Sequence, residues 1–268
     1  MLDRRPLIDA RGLAVGYRGG PPVLQDVTFT VAPGERIGVL GPNGGGKTTL
    51  MRALLGELAP RAGSLTVDGS RGTVPQTERS RLDFPVSALD VVLMGALAHT
   101  PWWRRPGRAE RAAALAALDR VGLSDRAKTT FGELSGGQRQ RVLVARALLQ
   151  DAEIVLFDEP FTGLDAPSAA RLTDLIDALA AEGRGVVIST HDIAQARAWD
   201  HVLCLNRRQI DFGPPAQTLT GAVLAATYEH AVIHVPAAPA PHRDDSRPVA
   251  AAAPHHDDSR PAAAAKSE

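Results

Sequence analysis

The stretch GPNGGGKTT, Gly41 to Thr49, limits the fold of this chain more than any other. It matches the pattern G-x-x-x-x-G-K-[ST], preceded by an apolar run, ERIGVLG, and followed by a segment from Lys47 to Gly56 that reads as a helix. Glycine lets the backbone wrap closely around a triphosphate, so that its amides face the oxygens. On this reading Gly41, Pro42, Asn43, Gly44, Gly45, Gly46 and Thr49 form the cradle. Lys47 would reach the β- and γ-phosphates, and the Thr48 hydroxyl would ligate Mg²⁺. A plain glycine-rich turn is the competing reading, and the motif by itself speaks for nucleotide binding and nothing narrower.

Two further stretches carry related chemistry. Ile154 to Phe157 read as a short apolar strand ending in Asp158 and Glu159. A carboxylate at the tip of a buried strand beside a phosphate loop is placed to meet Mg²⁺, which suits Asp158. Glu159, one residue on, could act as general base towards the attacking water. Surface acids after a strand are common, and it is the phosphate loop that gives this pair its meaning. In LSGGQRQR, Leu134 to Arg141, the residues Ser135, Gly136 and Gly137 would open a helix running through Val142, Arg146 and Leu149. A helix start offers unpaired amides to an anion. One nucleotide does not need two such sites, which leaves open whose phosphate the second would serve.

The pattern along the chain is that of an α/β core. Val23, Val27, Phe29 and Val31 fall on alternate positions of VLQDVTFTV, as in a half-buried strand. With LIDARGLAVGY before it and ERIGVLG after it, this makes a β-rich opening, and SLTVDG and GTVPQ read as short strands beyond the Lys47 helix. Helices follow over 88–98 and 109–121, the latter with Leu115 and Leu118 on one face, and then after LSGG. Strand and helix alternate again from EIVLFDE through a helix over 166–181, GVVIST, a short helix from Ile193 and HVLCLN. The expected domain spans 1–235, with a helical insertion over about 86–150. Residues 236–268 carry a tandem unit, PHRDDSRPVAAAA then PHHDDSRPAAAAK, with no large apolar residues to pack, and are expected to be disordered. The histidines and aspartates of this tail, among them His242, His255, Asp244 and Asp257, either bind Zn²⁺ or a similar ion loosely or simply stay solvated.

Composition closes off several classes. Lys plus Arg and Asp plus Glu each number 30, so no bulk basic field attracts a nucleic-acid backbone. The lone cysteine, Cys204, lies in an apolar strand and reads as a buried thiol in a reducing compartment. No run approaches the roughly 18 to 20 apolar residues of a membrane span, and MLDRRPLID lacks the apolar stretch of a secretion signal. The expectation is a soluble, cytoplasmic chain.

Taken in order, GPNGGGKTT, VPQ with Gln76, LSGGQ, IVLFDEP, TGLD with Asp165 and STHD with His191 resemble the full motif set of an ABC-type ATPase, over about Leu7 to Leu219. The resemblance implies a RecA-like core with an N-terminal antiparallel β subdomain and a helical insertion carrying the signature motif. It implies ATP and Mg²⁺ as cofactors, with Gln76 near the metal and the attacking water, His191 at the γ-phosphate, and Ser135, Gly136, Gly137 and Gln138 closing over the nucleotide of a second copy. Asp165 would face that copy. Tyr17 resembles the aromatic that stacks on adenine, or else is an ordinary strand aromatic. DFPVSALDVVLMG, PFTGLD, LNRRQIDFGPP and Gly45 resemble, more narrowly, the ATPases of bacterial manganese, zinc or iron importers; an importer of a chelated metal or another small solute is the alternative. Partners would then be an integral-membrane permease, docked near Phe84 and Pro85, and an extracytoplasmic solute-binding protein, with the chain peripheral on the inner face of the cell membrane. Leu89, Val92 and Leu93 read as core, while Trp102 and Trp103 read equally as anchors of the insertion or as contacts. A two-unit translation factor or a coiled-coil chromosome ATPase would need features this chain lacks.

Overall fold

The computed structural model describes residues 5–75, 85–98 and 103–228. All of them belong to the first of two units, Met1–Ile233. Gln76, Phe84, Trp102 and the His/Asp-rich tail lie outside the described residues.

Strand β1, Ile8–Val15, pairs antiparallel with β2, Leu24–Val31, on one side and with β4, Ala62–Val67, on the other. The larger sheet has six strands in the order β5-β6-β7-β3-β8-β9. Five run parallel: β5 Arg71–Val74, β6 Ile154–Asp158, β7 Gly185–Thr190, β3 Arg36–Leu40 and β8 His201–Leu205. β9, Gln209–Gly213, closes one edge antiparallel to β8. Every residue of β7 is buried, as expected for a parallel sheet covered on both faces.

The continuous apolar run of β6 splits between two cores because successive side chains point to opposite faces. Ile154 and Leu156 join Ile8, Leu13 and Phe29 of the small sheet and Leu50 and Leu54 of helix α1, Lys47–Leu54. Val155 and Phe157 face the other way, towards Leu172 and Ile176 of α5, Ala166–Ala181, in the core that also takes in the helical insertion. That insertion consists of α2 Ala88–Leu93, α3 Arg108–Arg120 and α4 Gly136–Leu149, packed on one another. Three short helices complete the described residues: α6 Ile193–Ala196, α7 Pro215–Thr218 and α8 Gly221–Tyr228. No helix among the described residues is long and apolar enough to cross a membrane. Cys204 is buried in β8, and burial pushes its thiol up to about 11.

Four local expectations are corrected. Leu24, not Val23, shares the buried face with Val27, Phe29 and Val31, because Asp26 adopts a left-handed φ of 51° and shifts the register between Leu13 and Val15. Leu115 is 41% exposed while Leu118 is fully buried; Ala114 and Ala117 are the other buried residues of α3. The segment 88–98 is α-helical only to Leu93 and then tightens to a 3₁₀ turn, Met94–Ala98. Helix α1 stops at Leu54, where Gly56, with φ 82°, donates its amide to Ala53 O and Glu57 donates to Arg52 O. These two bonds form a Schellman end, which glycine accommodates without strain.

The start of β3 is tied to the start of β8 by an arginine fork. Arg36 Nε and Nη2 donate to the two oxygens of Asp200, at 3.0 and 2.9 Å, and Nη1 donates to Asp177 of α5 at 2.6 Å. The fork holds the Asp200 carboxyl below its ordinary value. A lowered folded-state value means that this contribution is complete above about pH 4, the unfolded value, and is lost as pH falls through the folded one. Asp200→Asn is therefore expected to lower the denaturant midpoint at neutral pH. The gap from wild type should close in acid, in midpoints measured at several pH values; a gap constant down to the lowest pH would refute the assignment.

Candidate nucleotide site

The phosphate loop is held by what packs beneath it. A side chain at Gly41 would place Cβ 2.2 Å from Leu205 O at the end of β8, and Gly45 has Pro42 O and Leu205 O at 3.0 and 3.1 Å. Arg207 N donates to Gly45 O at 2.9 Å. Gly44 and Gly46 take φ of 78° and 102°, a region that L side chains avoid. Lys47 opens α1 with its side chain 6% exposed, its ammonium donating to Gly41 O at 2.7 Å and Pro42 O at 3.3 Å. The resulting cleft, about 410 Å³, is lined by Pro42, Asn43, Gly44, Gly46, Lys47, Thr48 and Thr49 together with Val23 and Glu159. Gly41 and Gly45 are buried.

The two carboxylates arrive from β6 and are coupled through β7. Ser189 Oγ donates to Asp158 Oδ1 at 2.9 Å and accepts from Glu159 N at 2.8 Å. Glu159 has φ 47°, a strained conformation for a residue with a side chain, costing on the order of 1–3 kcal/mol. The Ser189 hydroxyl, from the neighbouring strand, helps hold it there. Glu159 Oε1 stands 3.5 Å from Lys47 Nζ and Oε2 stands 3.7 Å from His191 Nδ1, so one carboxylate lies between the two nitrogen groups. Asp158 and Thr48 line one small cavity of about 180 Å³. A hydroxyl and a carboxylate facing one space form the hard oxygen donor set that Mg²⁺ prefers.

Tyr17, 40% exposed, lines a second cleft of about 760 Å³ that shares Val23 and Gly44 with the phosphate loop. Ser135 caps α4 reciprocally: its hydroxyl accepts from Gln138 N at 3.2 Å, and Gln138 Oε1 accepts from Ser135 N at 2.9 Å. Two of the four amides at this helix start are thus spent within the chain, leaving those of Gly136 and Gly137. Asp165 caps α5 by accepting from Ser168 N at 3.3 Å, and its carboxyl is held below its ordinary value chiefly by the Ser168 side chain, with the amide bond adding to this. Gly137 lies against Ser168, which ties the signature helix to the segment around Asp165. None of 135–138 lines the phosphate-loop cleft.

This strand, loop and helix, with paired carboxylates at the end of β6 and a separate capped helix start, accompanies a clear likeness to known proteins. Residues 24–162 match the ABC transporter family. The chain is 43% identical over 231 residues to the manganese transport system ATP-binding protein MntB of Bacillus subtilis, covering 82% of this chain and 92% of that one. The chain belongs to the ABC transporter family. It is 37% identical over 225 residues to the zinc transport system ATP-binding protein TroB of Treponema pallidum, covering 81% and 84%. Among solved structures, a metal-chelate type ABC transporter in an inward-facing conformation superposes with a TM-score of 0.76 at 35% identity, covering 83% of this chain and 88% of that one. As an ABC ATPase the chain binds and hydrolyses ATP.

Within this ABC ATPase, Glu159, His191, Lys47, Thr48 and Asp158 gather around the phosphate loop, with Tyr17 on the adjoining cleft. The signature residues and Asp165 form a separate group. Sequence reasoning passed over Ser189, although it stands inside the STHD motif, two residues before His191. Its hydroxyl is the bridge between the two acids, and Ser189→Ala leaves the Glu159 amide without that acceptor. An unmade buried hydrogen bond costs about 1–3 kcal/mol. ATP turnover by Ser189→Ala is expected to fall about tenfold in a steady-state phosphate-release assay, with the denaturant midpoint lowered; unchanged turnover would rule out the bridge.

Proposed function

We propose that this ABC ATPase powers uptake of a divalent metal ion, manganese, zinc or iron, through a separate membrane permease. The observation that carries the reading is its alignment, over more than four fifths of its length, with ATP-binding proteins of manganese and zinc transport systems. A permease loop would dock near Pro85, which is exposed at the start of the helical insertion, with the chain seated on the inner face of the membrane and a solute-binding protein delivering the ion outside. The cargo ion is assigned to the permease and the solute-binding protein. Whether the tail histidines sense that ion is tested by titrating Zn²⁺ and Mn²⁺ into chains with and without residues 236–268.

In the proposed mechanism, the amides of Gly44 to Thr49 cradle the β- and γ-phosphates and Lys47 offsets their charge. Tyr17 supports the base. Thr48 and Asp158 would hold Mg²⁺, with Gln76 as a further ligand, and the bound ion would neutralise charge on the β- and γ-phosphates. Glu159 accepts a proton from the attacking water, and His191 donates to the γ-phosphate.

The capped helix start is the missing half of the site. Ser135 and the amides of Gly136 and Gly137 from a second copy would close over the γ-phosphate, with Asp165 at the contact. A helix dipole contributes only about 0.3–1 kcal/mol at an exposed site. Hydrogen bonds to a charged phosphate are worth about 1.5–3 kcal/mol each and recur at two sites, enough to make closure depend on ATP. Glu159→Gln, which binds ATP without turning it over, is expected to elute as a dimer with ATP and as a monomer without it; a single unchanged species in both conditions would exclude the clamp. Cells lacking this chain should lose uptake of radioactive Mn²⁺ or Zn²⁺, regained with the wild type but not with Glu159→Gln. Restoration of uptake of a metal–chelator complex only would favour the chelate reading, which the likeness to the metal-chelate transporter supports.

A further inference from the structure

The loop between β1 and β2 that carries Tyr17 has few restraints of its own. Val23 N donates to Val15 O at 2.8 Å across its base, and the turn at its tip closes through Gly20 N to Tyr17 O at 3.3 Å and passes through Gly19 at φ 81°. Gly16 lies so close to Pro21 and Pro22 that a Cβ would meet Pro21 O at 2.8 Å, which places the turn without holding its far end. The far end is held from outside. Arg61 reaches it across more than 40 positions of sequence, donating Nη1 to Gly20 O and Nη2 to Tyr17 O. The arginine is itself anchored, because its backbone amide donates to Ala14 O at 2.8 Å, beside the pairing of Ala14 with Ala62 of β4.

A second arginine meets the ring. Arg52 of α1 lies with Cζ 5.7 Å from the centroid of Tyr17, within cation–π range, and it does not line the 760 Å³ cleft that Tyr17 lines. Tyr17 therefore has its backbone carbonyl gripped by the residue just before β4 and its ring met by Arg52 of α1, while Tyr17 borders the cleft that shares Val23 and Gly44 with the phosphate loop.

We propose that Arg61 is a positioning residue for the base end of ATP: its guanidinium spans the carbonyls of Tyr17 and Gly20 and locks the Tyr17 ring, backed by Arg52, as the platform on which the base stacks. This rests on the reading of Tyr17 as the base-stacking residue. The chemistry selects arginine. A planar fork presents two parallel donors to acceptors at the two ends of one turn, whereas an ammonium is a point donor. Fixing the loop before ATP arrives removes an ordering cost that binding would otherwise meet. The benefit should fall on base binding and not on phosphate chemistry, because Arg61 touches neither the phosphate loop nor the carboxylates.

The test compares Arg61→Met, Arg61→Lys, Tyr17→Ala and the double variant Tyr17→Ala/Arg61→Met, reading kcat and KM for ATP, equilibrium binding of ATP, and binding of inorganic tripolyphosphate. Arg61→Met is expected to raise KM and weaken ATP binding about 3- to 10-fold. Its kcat at saturation and its tripolyphosphate affinity should stay at wild-type values. Arg61→Lys should resemble Arg61→Met, and adding Arg61→Met to Tyr17→Ala should change nothing further. A loss of tripolyphosphate binding, a fall in kcat, an added defect in the double variant, or no change in KM would each overturn the proposal. If Tyr17→Ala itself leaves ATP binding intact, the platform reading fails first; if Tyr17→Ala weakens ATP and Arg61→Met does not, only the role of Arg61 fails.

Discussion

The close contact between the phosphate loop and the end of β8 is the constraint on which the site depends. With the Leu205 carbonyl only 2.2 Å from where a Gly41 side chain would begin, the loop is seated directly on the carboxyl edge of the parallel sheet. That seating sets the direction of its amides and the start of α1. It also brings Lys47 over the edge where β6 and β7 deliver Asp158, Glu159 and, just beyond, His191. A ligand-binding crevice outside the carboxyl ends of parallel strands is the general consequence of this architecture.

The acids are placed by the strand order. β6 and β7 are neighbours in register Asp158 to Ser189, which puts a serine hydroxyl of one strand beside the carboxylate of the other and under the amide of the next residue. The left-handed backbone at Glu159 turns its side chain back towards Lys47 and His191 instead of continuing the strand alternation. Strain of this kind persists only where surrounding bonds over-determine it, and the Ser189 hydroxyl is one such bond.

The start of the signature helix is capped by its own residues. Ser135 and Gln138 complete their own capping box, and the helix start packs on the Asp165 segment without lining the cleft that holds Lys47. The Tyr17 loop shows the opposite economy: it has little internal bonding and is fixed by Arg61 and Arg52 from two other elements.

The sequence by itself determined the phosphate loop, the paired acids after β6, the capped helix after LSGG and the α/β class with its helical insertion. The first three are each encoded in one short stretch by backbone freedom and side-chain chemistry, and the class by periodicity along the domain. Only the tertiary structure decided which strand lies beside which, and therefore that Ser189 bridges Asp158 and Glu159 from 31 and 30 positions away. It likewise decided that Leu24 replaces Val23 on the core face, that Leu115 stays at the surface, and that Arg61 grips the Tyr17 turn. Periodicity reports which face of an element is apolar; a bulge at Asp26, the packing of α3 on α4 or an arginine reaching a distant carbonyl depends on how separate elements meet, and no local pattern carries that information.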